Sequence, residues 1–299
     1  MELTFLGTSS MVPTKERNVQ SLLITYKDEG ILLDCGEGTQ RQMNIMGMNR
    51  NKITRILISH WHGDHVAGLI GLLMTIGNAK EGKKIHIYGP KDTKRHFQAM
   101  KDMCFFYEKL DIEIHELNPK GVEKFFENQD FELYAAHLEH SIPVLGFRFV
   151  EKDVYKISKE KMKKFGLKEG PMIGKLQREG KIVVKGETIK LEDIADLSIG
   201  KKLAFIFDTV ICNNCYALAE DADVLVSEAT YGSEHEEKAE AYKHMTVKQA
   251  ALIANNSSAK KLILTHFSQR YKTTGALEEE ARTYFPNSLC AYDFMKVKI

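Results

Sequence analysis

His60, His62, Asp64 and His65 fall within six residues, in the stretch Ser59-His60-Trp61-His62-Gly63-Asp64-His65. Imidazole and carboxylate together form the ligand set of zinc and related divalent ions. Four such groups at this spacing fit neither a hydrophobic core nor a solvated face. Groups of the same two types recur along the chain as one of His137 or His140, Asp208 and His266. Seven nitrogen and oxygen ligands are too many for one tetrahedral ion but suit two ions that share a carboxylate. Such a pair, about 3.5–4 Å apart, lowers the pKa of a bridging water and clamps the attacking and leaving oxygens of a phosphodiester. A ligand set without thiolate fits Zn²⁺, with Mn²⁺ or Fe as alternatives.

These residues need elements to carry them. The apolar run at residues 53–58 predicts a buried strand that enters the His-rich turn, and residues 66–74 predict the helix that leaves it. Strands are expected at residues 3–6, 21–26, 31–33, 85–88, 112–117, 131–136, 203–207, 224–226, 261–264 and 291–297. Helices are expected over residues 93–104, 247–255 and 276–284. Every candidate ligand then lies where a predicted strand ends, and ligands of open α/β folds gather beyond the carboxyl ends of strands. Near-continuous strands interleaved with helices predict an α/β protein with its sheets covered on their outer faces. Asp34, at another strand end, is placed either to hydrogen-bond a ligating imidazole or to cap the following helix. Trp61, between two candidate ligands, reads as a packing residue. Cys212-Asn213-Asn214-Cys215 has CxxC spacing, but Cys35, Cys104 and Cys290 supply no second pair for a structural zinc.

The chain has 299 residues, 43% of them hydrophobic, enough to bury a full core as one large domain over residues 1–299. Its net charge of +1 announces neither nucleic acid nor membrane. No apolar run is long enough to span a bilayer, and the first residues lack the pattern of a signal peptide. Five cysteines without framework spacing point to a reducing compartment, so a cytoplasmic protein without a membrane partner is expected. Residues 151–190 differ in texture. They hold 12 Lys or Arg against 6 Asp or Glu, five glycines, Pro171 and few large apolar groups. This inserted segment reads as a solvated surface insertion or as a basic arm for a polyanion.

The pattern H-x-H-x-D-H over His60–His65 resembles the metal-binding signature of the metallo-β-lactamase superfamily. The resemblance becomes specific when further stretches are added: residues 34–40, 140–148, 207–209 and 265–271. Together they resemble the ribonuclease Z (tRNase Z) family of tRNA 3′-processing endonucleases, in register from Leu3 to about Tyr271. This resemblance implies the αββα four-layer sandwich of the metallo-β-lactamase fold. It also implies a zinc-dependent endoribonuclease that removes the 3′ trailer from precursor tRNA, leaving a tRNA 3′-hydroxyl and a 5′-phosphate on the trailer. By the family's pattern His60, His62 and His140 hold one of two Zn²⁺ per chain, Asp64, His65 and His266 hold the other, and Asp208 bridges them. It selects His140 over His137, and it gives Asp64 a second task as acceptor of the water's proton.

Pro13-Thr14-Lys15-Glu16-Arg17-Asn18 is similar to the family's P-x-K-x-R-N loop, which implies that Lys15 and Arg17 meet the tRNA 3′ end. Glu228 and His244 resemble the family pair that helps protonate the leaving oxygen. Here Ser227 stands in place of a His and Met245 in place of a small polar residue, and a cap on the helix that opens at Thr246 is the other reading of His244. Residues 166–176, with Gly170-Pro171, are similar to a flexible tRNA-binding arm. Lys163, Lys164, Lys168, Gly170 and Pro171 become candidate substrate contacts, and a homodimer is implied. Two rival functions are a small-molecule phosphodiesterase or lactonase on the same metals and a non-catalytic RNA-binding protein with a structural metal. Retention of all seven ligands and of Glu228 speaks against the second, and the basic segment against the first.

Overall fold

The structure is a computed structural model that describes every residue except Lys185. Among the described residues, the apolar runs pair into two seven-stranded sheets. The first runs Lys296–Lys298, Glu2–Gly7, Ser21–Tyr26, Glu29–Leu33, Ile53–Leu57, Lys84–Gly89 and Asp111–Glu116. It is antiparallel as far as Glu29–Leu33 and parallel from there outward. The second runs Ser288–Cys290, Leu262–Thr265, Val224–Glu228, Lys202–Ile206, Leu145–Glu151, Phe131–His137 and Glu123–Glu127, and its first four members are parallel.

The central strands are buried on both faces, which is why their sequences read as continuous apolar runs rather than alternations. Leu32, Ile56 and Ile87 pack outward against Met43, Leu72, Ile76 and Phe97 of three helices, Thr39–Ile45, Leu69–Ala79 and Thr93–Asp102. On the other side Ile206, Leu225 and Leu264 meet Leu218, Ala250 and Leu277 of the helices Asn213–Ala219, Val247–Asn256 and Gly275–Tyr284. The inner faces of the sheets oppose each other, with Tyr26 edge-on to Phe149 at 5.5 Å between ring centroids. Each fully buried Leu, Ile or Phe in these layers contributes about 1.5–3 kcal/mol. The result is the expected four layers, helix–sheet–sheet–helix. No helix among the described residues is long and apolar enough to cross a membrane.

The single strand expected over residues 291–297 is corrected. Ser288–Cys290 joins the second sheet, Lys296–Lys298 joins the first beside Glu2–Thr4, and residues 291–295 cross between them. Asp293 holds this crossing. Its carboxylate accepts from Thr8 Oγ1 (2.8 Å), Asn18 N (2.7 Å) and Gln42 Nε2 (2.8 Å), bonds that a continuous strand could not make.

By contact the chain divides into two compact units. The main one comprises Met1–Glu127, Leu133–Phe149 and Lys202–Ile299; the second comprises Asn128–Glu132 and Val150–Lys201. The second unit therefore runs past residue 190, because Ala195–Ser198 pairs antiparallel with Val154–Ile157. It also has a hydrophobic interior that its sparse apolar residues do not advertise. Met162, Leu167, Ile173, Leu176, Ile182, Ile189 and Ile194 pack together between the helices Lys159–Lys164 and Pro171–Glu179 and the hairpin of Lys181–Val184 with Glu187–Lys190.

Candidate active site

In the main unit, two sets of strand ends bring the chemistry together. Ile53–Leu57 stops short of Ser59, and the following turn is pressed onto the neighbouring loop by Cys35 N to His65 O (2.7 Å) and Gly68 N to Cys35 O (2.9 Å). Glycine is required on both sides of this contact. A Cβ on Gly36 would lie 2.2 Å from Asp64 O, and one on Gly68 would lie 2.2 Å from Gly36 O. In the second sheet, Ile206 pairs with Ser227, and Glu228 with Thr265, so Asp208, Glu228 and His266 leave one edge of three parallel strands. Asp34, Asp208 and His266 all have positive φ (56°, 29° and 61°). This backbone is unfavourable for a side chain with a Cβ and is held here by the surrounding structure.

The result is two adjoining groups. His60, His62, His140 and Asp208 form one; Asp64, His65 and His266 form the other, with ligand atoms in each within 4.8 Å of one another. Separations are 3.0 Å from His60 Nε2 to His62 Nδ1, 3.3 Å from His62 Nδ1 to His140 Nε2, and 3.3 Å from His65 Nε2 to His266 Nε2. Asp64 Oδ2 lies 3.5 Å from both His65 Nε2 and His266 Nε2. Tetrahedral ligands at bond lengths of about 2.0–2.1 Å stand roughly 3.3–3.5 Å apart, close to these values. Asp208 faces both groups, its Oδ2 3.6 Å from His60 Nε2 and its Oδ1 3.2 Å from His266 Nε2 and 3.5 Å from His65 Nε2.

The nitrogens facing away from these groups are held too. His65 Nδ1 bonds Asp34 Oδ2 (2.7 Å), His140 Nδ1 bonds Lys243 O (2.9 Å), His266 Nδ1 meets Thr230 Oγ1 (3.1 Å), and His60 Nδ1 meets Ser59 Oγ (3.0 Å). Such partners fix ring orientation and tautomer so that the free lone pair faces the ion. Asp34 therefore positions an imidazole; it does not cap the helix Thr39–Ile45, whose N-cap is Gly38. Among the described residues Asp208 Oδ1 is buried and accepts no hydrogen bond, a costly condition for a carboxylate oxygen and one that coordination relieves.

Electrostatics agree with a cation-binding centre. Burial, reinforced by neighbouring histidines, holds His60 well below its ordinary value and lowers His62 and His140, leaving the neutral form that ligates. Burial also opposes charge on Asp64 and Asp208, but the surrounding imidazoles outweigh it and hold both carboxyls far below the carboxylate range. Burial is outweighed at His65 as well, where Asp208, Asp34 and Asp64 push the imidazole upward. Three carboxylates converging on one buried ring call for positive charge, and these residues fit two divalent ions.

A cleft of about 980 Å³ opens over the centre, lined among others by Met11, Asp64, His140, Asp208, His244 and Arg270. His244 Nδ1 lies 3.1 Å from Glu228 Oε1. Burial disfavours a charged His244, but the Glu228 and Asp208 carboxylates raise it to about 9. Thr246, not His244, caps the next helix, through a capping box with Gln249. Glu228 is fully buried and takes bonds from Thr209 N (2.8 Å) and Thr230 Oγ1 (2.6 Å).

His140 stands with His60, His62 and Asp208, whereas His137 turns to Asn118 Oδ1 at 2.9 Å. Trp61 packs, donating to Thr93 Oγ1 (2.9 Å) and stacking on His96. Lys15 is exposed, but Arg17 is buried, and its guanidinium donates to Ser268 O (3.2 Å) and Tyr271 O (2.6 Å). Arg17 thus ties its loop to the one that follows His266 instead of offering charge to solvent. Lys163, Lys164, Lys168, Gly170 and Pro171 are exposed in the second unit, and Pro171 opens the helix Pro171–Glu179. Three contributors carry no role in the sequence reading: the Met11 amide, which donates to Asp64 Oδ2 (2.8 Å), Thr230, and the Lys243 carbonyl. Two are backbone groups without a side-chain signal; Thr230, a hydroxyl two residues beyond Glu228, was the readable one.

Comparison with known proteins places this arrangement. Ribonuclease Z of Protochlamydia amoebophila is 38% identical over 294 residues, 98% of this chain and 95% of its own length. The crystal structure of the short form of human tRNase Z superposes with a TM-score of 0.74 at 28% identity, covering 100% of this chain and 99% of that one. The metallo-β-lactamase fold protein YhfI from Bacillus subtilis superposes with a TM-score of 0.71 at 18% identity over 99% of this chain and 98% of its own, a likeness of fold. A family model described as "Anti-Pycsar protein Apyc1" matches residues 1–149, a span that stops before Asp208, Glu228, His244 and His266.

Proposed function

This chain belongs to the ribonuclease Z family, and we propose that it removes the 3′ trailer from precursor tRNA at a pair of zinc ions in the cytoplasm, leaving a tRNA 3′-hydroxyl and a 5′-phosphate on the trailer. The observation that carries this reading is the convergence of seven buried or half-buried histidines and aspartates, among them Asp208, whose Oδ1 accepts no hydrogen bond. His60, His62 and His140 would hold one ion and Asp64, His65 and His266 the other, with Asp208 shared. When bound, the ions supply Lewis acidity toward the scissile phosphate and make water a nucleophile near neutral pH.

The chain's own residues do the rest. Asp64, ionised and braced by the Met11 amide, accepts the proton of the attacking water. His244, kept protonated beside Glu228, gives a proton to the departing 3′-oxygen of the tRNA, and Glu228 orients the ring and stabilises its charge. Lys15 meets the 3′ end from a loop that Arg17 and Asp293 hold in place. The Val150–Lys201 segment of the second unit is the tRNA-binding arm, and Lys163, Lys164 and Lys168 grip backbone phosphates without reading sequence. The enzyme works as a homodimer, as the family resemblance implies.

Incubation of the purified protein with a precursor tRNA labelled at both ends tests the reading. Expected products are a tRNA ending in a 3′-hydroxyl and a trailer with a 5′-phosphate, two zinc ions per chain, and loss of cleavage after chelation. Absence of cutting, or cutting that leaves a 3′-phosphate, overturns it.

A further inference from the structure

A second cluster of ligating side chains stands outside the active site, on the outer strands of the first sheet. Lys84–Gly89 and Asp111–Glu116 pair in parallel, with His86 opposite Glu113 and Tyr88 opposite His115. Alternation fixes which face these residues take. Ile85, Ile87, Ile112 and Ile114 belong to the core beneath the helices, so His86, Glu113 and His115 share the opposite face. Their ligand atoms lie within 4.8 Å of one another. His86 Nδ1 is 3.1 Å from His115 Nε2 and 3.3 Å from Glu113 Oε2.

From this geometry we infer that His86, Glu113 and His115 form an additional site for a divalent transition-metal ion, distinct from the catalytic pair. Two imidazoles and a carboxylate, with water in the fourth position, are a ligand set that zinc accepts. Separations of 3.1–3.3 Å approach the roughly 3.3–3.5 Å expected between tetrahedral ligands at bonds of about 2.0–2.1 Å, so the side chains need to move little. The rings are also held in advance. His115 stacks on Tyr88 at 4.5 Å between centroids with 14° between planes, and His86 stacks on His115 at 5.4 Å. The competing partner of Glu113 is Lys84, at 3.1 Å in an exposed ion pair, a weak interaction that a coordinating ion displaces. His86 and Glu113 are reachable, with side chains 24% and 46% exposed. The site would clip Asp111–Glu116, the edge strand of its sheet, to its neighbour.

Titration of Zn²⁺ into the holoenzyme, already loaded at its catalytic centre, tests the inference by calorimetry and by thermal unfolding. The wild type is expected to bind one further equivalent and to unfold at a higher temperature with it. His86→Gln and His115→Gln should each lose both effects while cutting precursor tRNA at the wild-type rate. Glu113→Gln, at a nearly half-exposed position, provides the same comparison if either histidine variant fails to fold. No binding beyond the catalytic ions, or equal extra binding in wild type and variants, overturns the inference, the latter result assigning the metal to scattered surface histidines.

Discussion

The two compact units use charge in opposite ways. In the main unit the important titratable groups are buried and face one another. His60, His65, His266 and Glu228 are fully buried, and Asp208 nearly so. In the second unit the interior is aliphatic and the charges lie outside, pairing where they pair at exposed positions such as Lys159 with Glu169 and Lys175 with Glu179. Among its described residues there is no cluster of metal-ligating side chains. Buried charges interact strongly at contact distance and set proton positions; exposed lysines interact weakly with any one partner but sum into a field that salt screens. The first arrangement suits bond making and breaking, the second suits holding a polyanion.

The sharpest way to break this comparison is at Asp64. Asp64→Ala should reduce cleavage of every substrate by far more than the ~10–100-fold typical of changes in a ligand's outer partners, with the fold retained by circular dichroism. Near-normal cleavage would mean that the buried cluster is not the reactive centre. Next comes the Glu228–His244 pair, where general acid catalysis is worth about 10²–10⁴-fold. If the two act as one unit, the double variant Glu228→Gln/His244→Ala should cost little more than either change alone. Losses that multiply in rate measurements would mean that they act separately. A smaller effect is expected at Asp34, which touches no reacting atom. Asp34→Ala should weaken metal binding by about 10–100-fold, seen by competition with a chelator, while saturating metal restores turnover.

How much of this was legible depended on whether a residue acts through its own type or through a distant partner. The clustered histidines and aspartates were readable as candidates because imidazole and carboxylate recur at strand ends, where few other roles suit them. His137 and His140 were not separable by residue type, since both follow the same strand; the fold separates them, turning His137 toward Asn118 and His140 toward Lys243. The burial of Arg17 was not legible because the carbonyls that accept from it belong to Ser268 and Tyr271, some 250 positions away. Asp293 carried no signal for a similar reason, its partners being Thr8, Asn18 and Gln42. The positive φ at Asp208 and His266 is likewise imposed by the sheet edge, not by a local preference for glycine.

In the second unit the smallest effect is expected from charge alone. Neutralising Lys163, Lys164 and Lys168 to Gln should lower tRNA affinity modestly and flatten its salt dependence by about one unit of log–log slope per lost phosphate contact. An unchanged slope would remove these residues from the interface.

Replacing the body of the second unit tests the division of labour most directly. Lys156 pairs with Asp196 and Ile157 with Ala195, so residues 158–194 can be exchanged for a short Gly/Ser turn that keeps this hairpin. The measurement is kcat/KM for precursor tRNA and for a small chromogenic phosphodiester on the same preparation. Hydrolysis of the small substrate should persist while kcat/KM for precursor tRNA collapses, chiefly through KM. Loss of both activities in a folded protein, or precursor tRNA cut as before, would contradict the account.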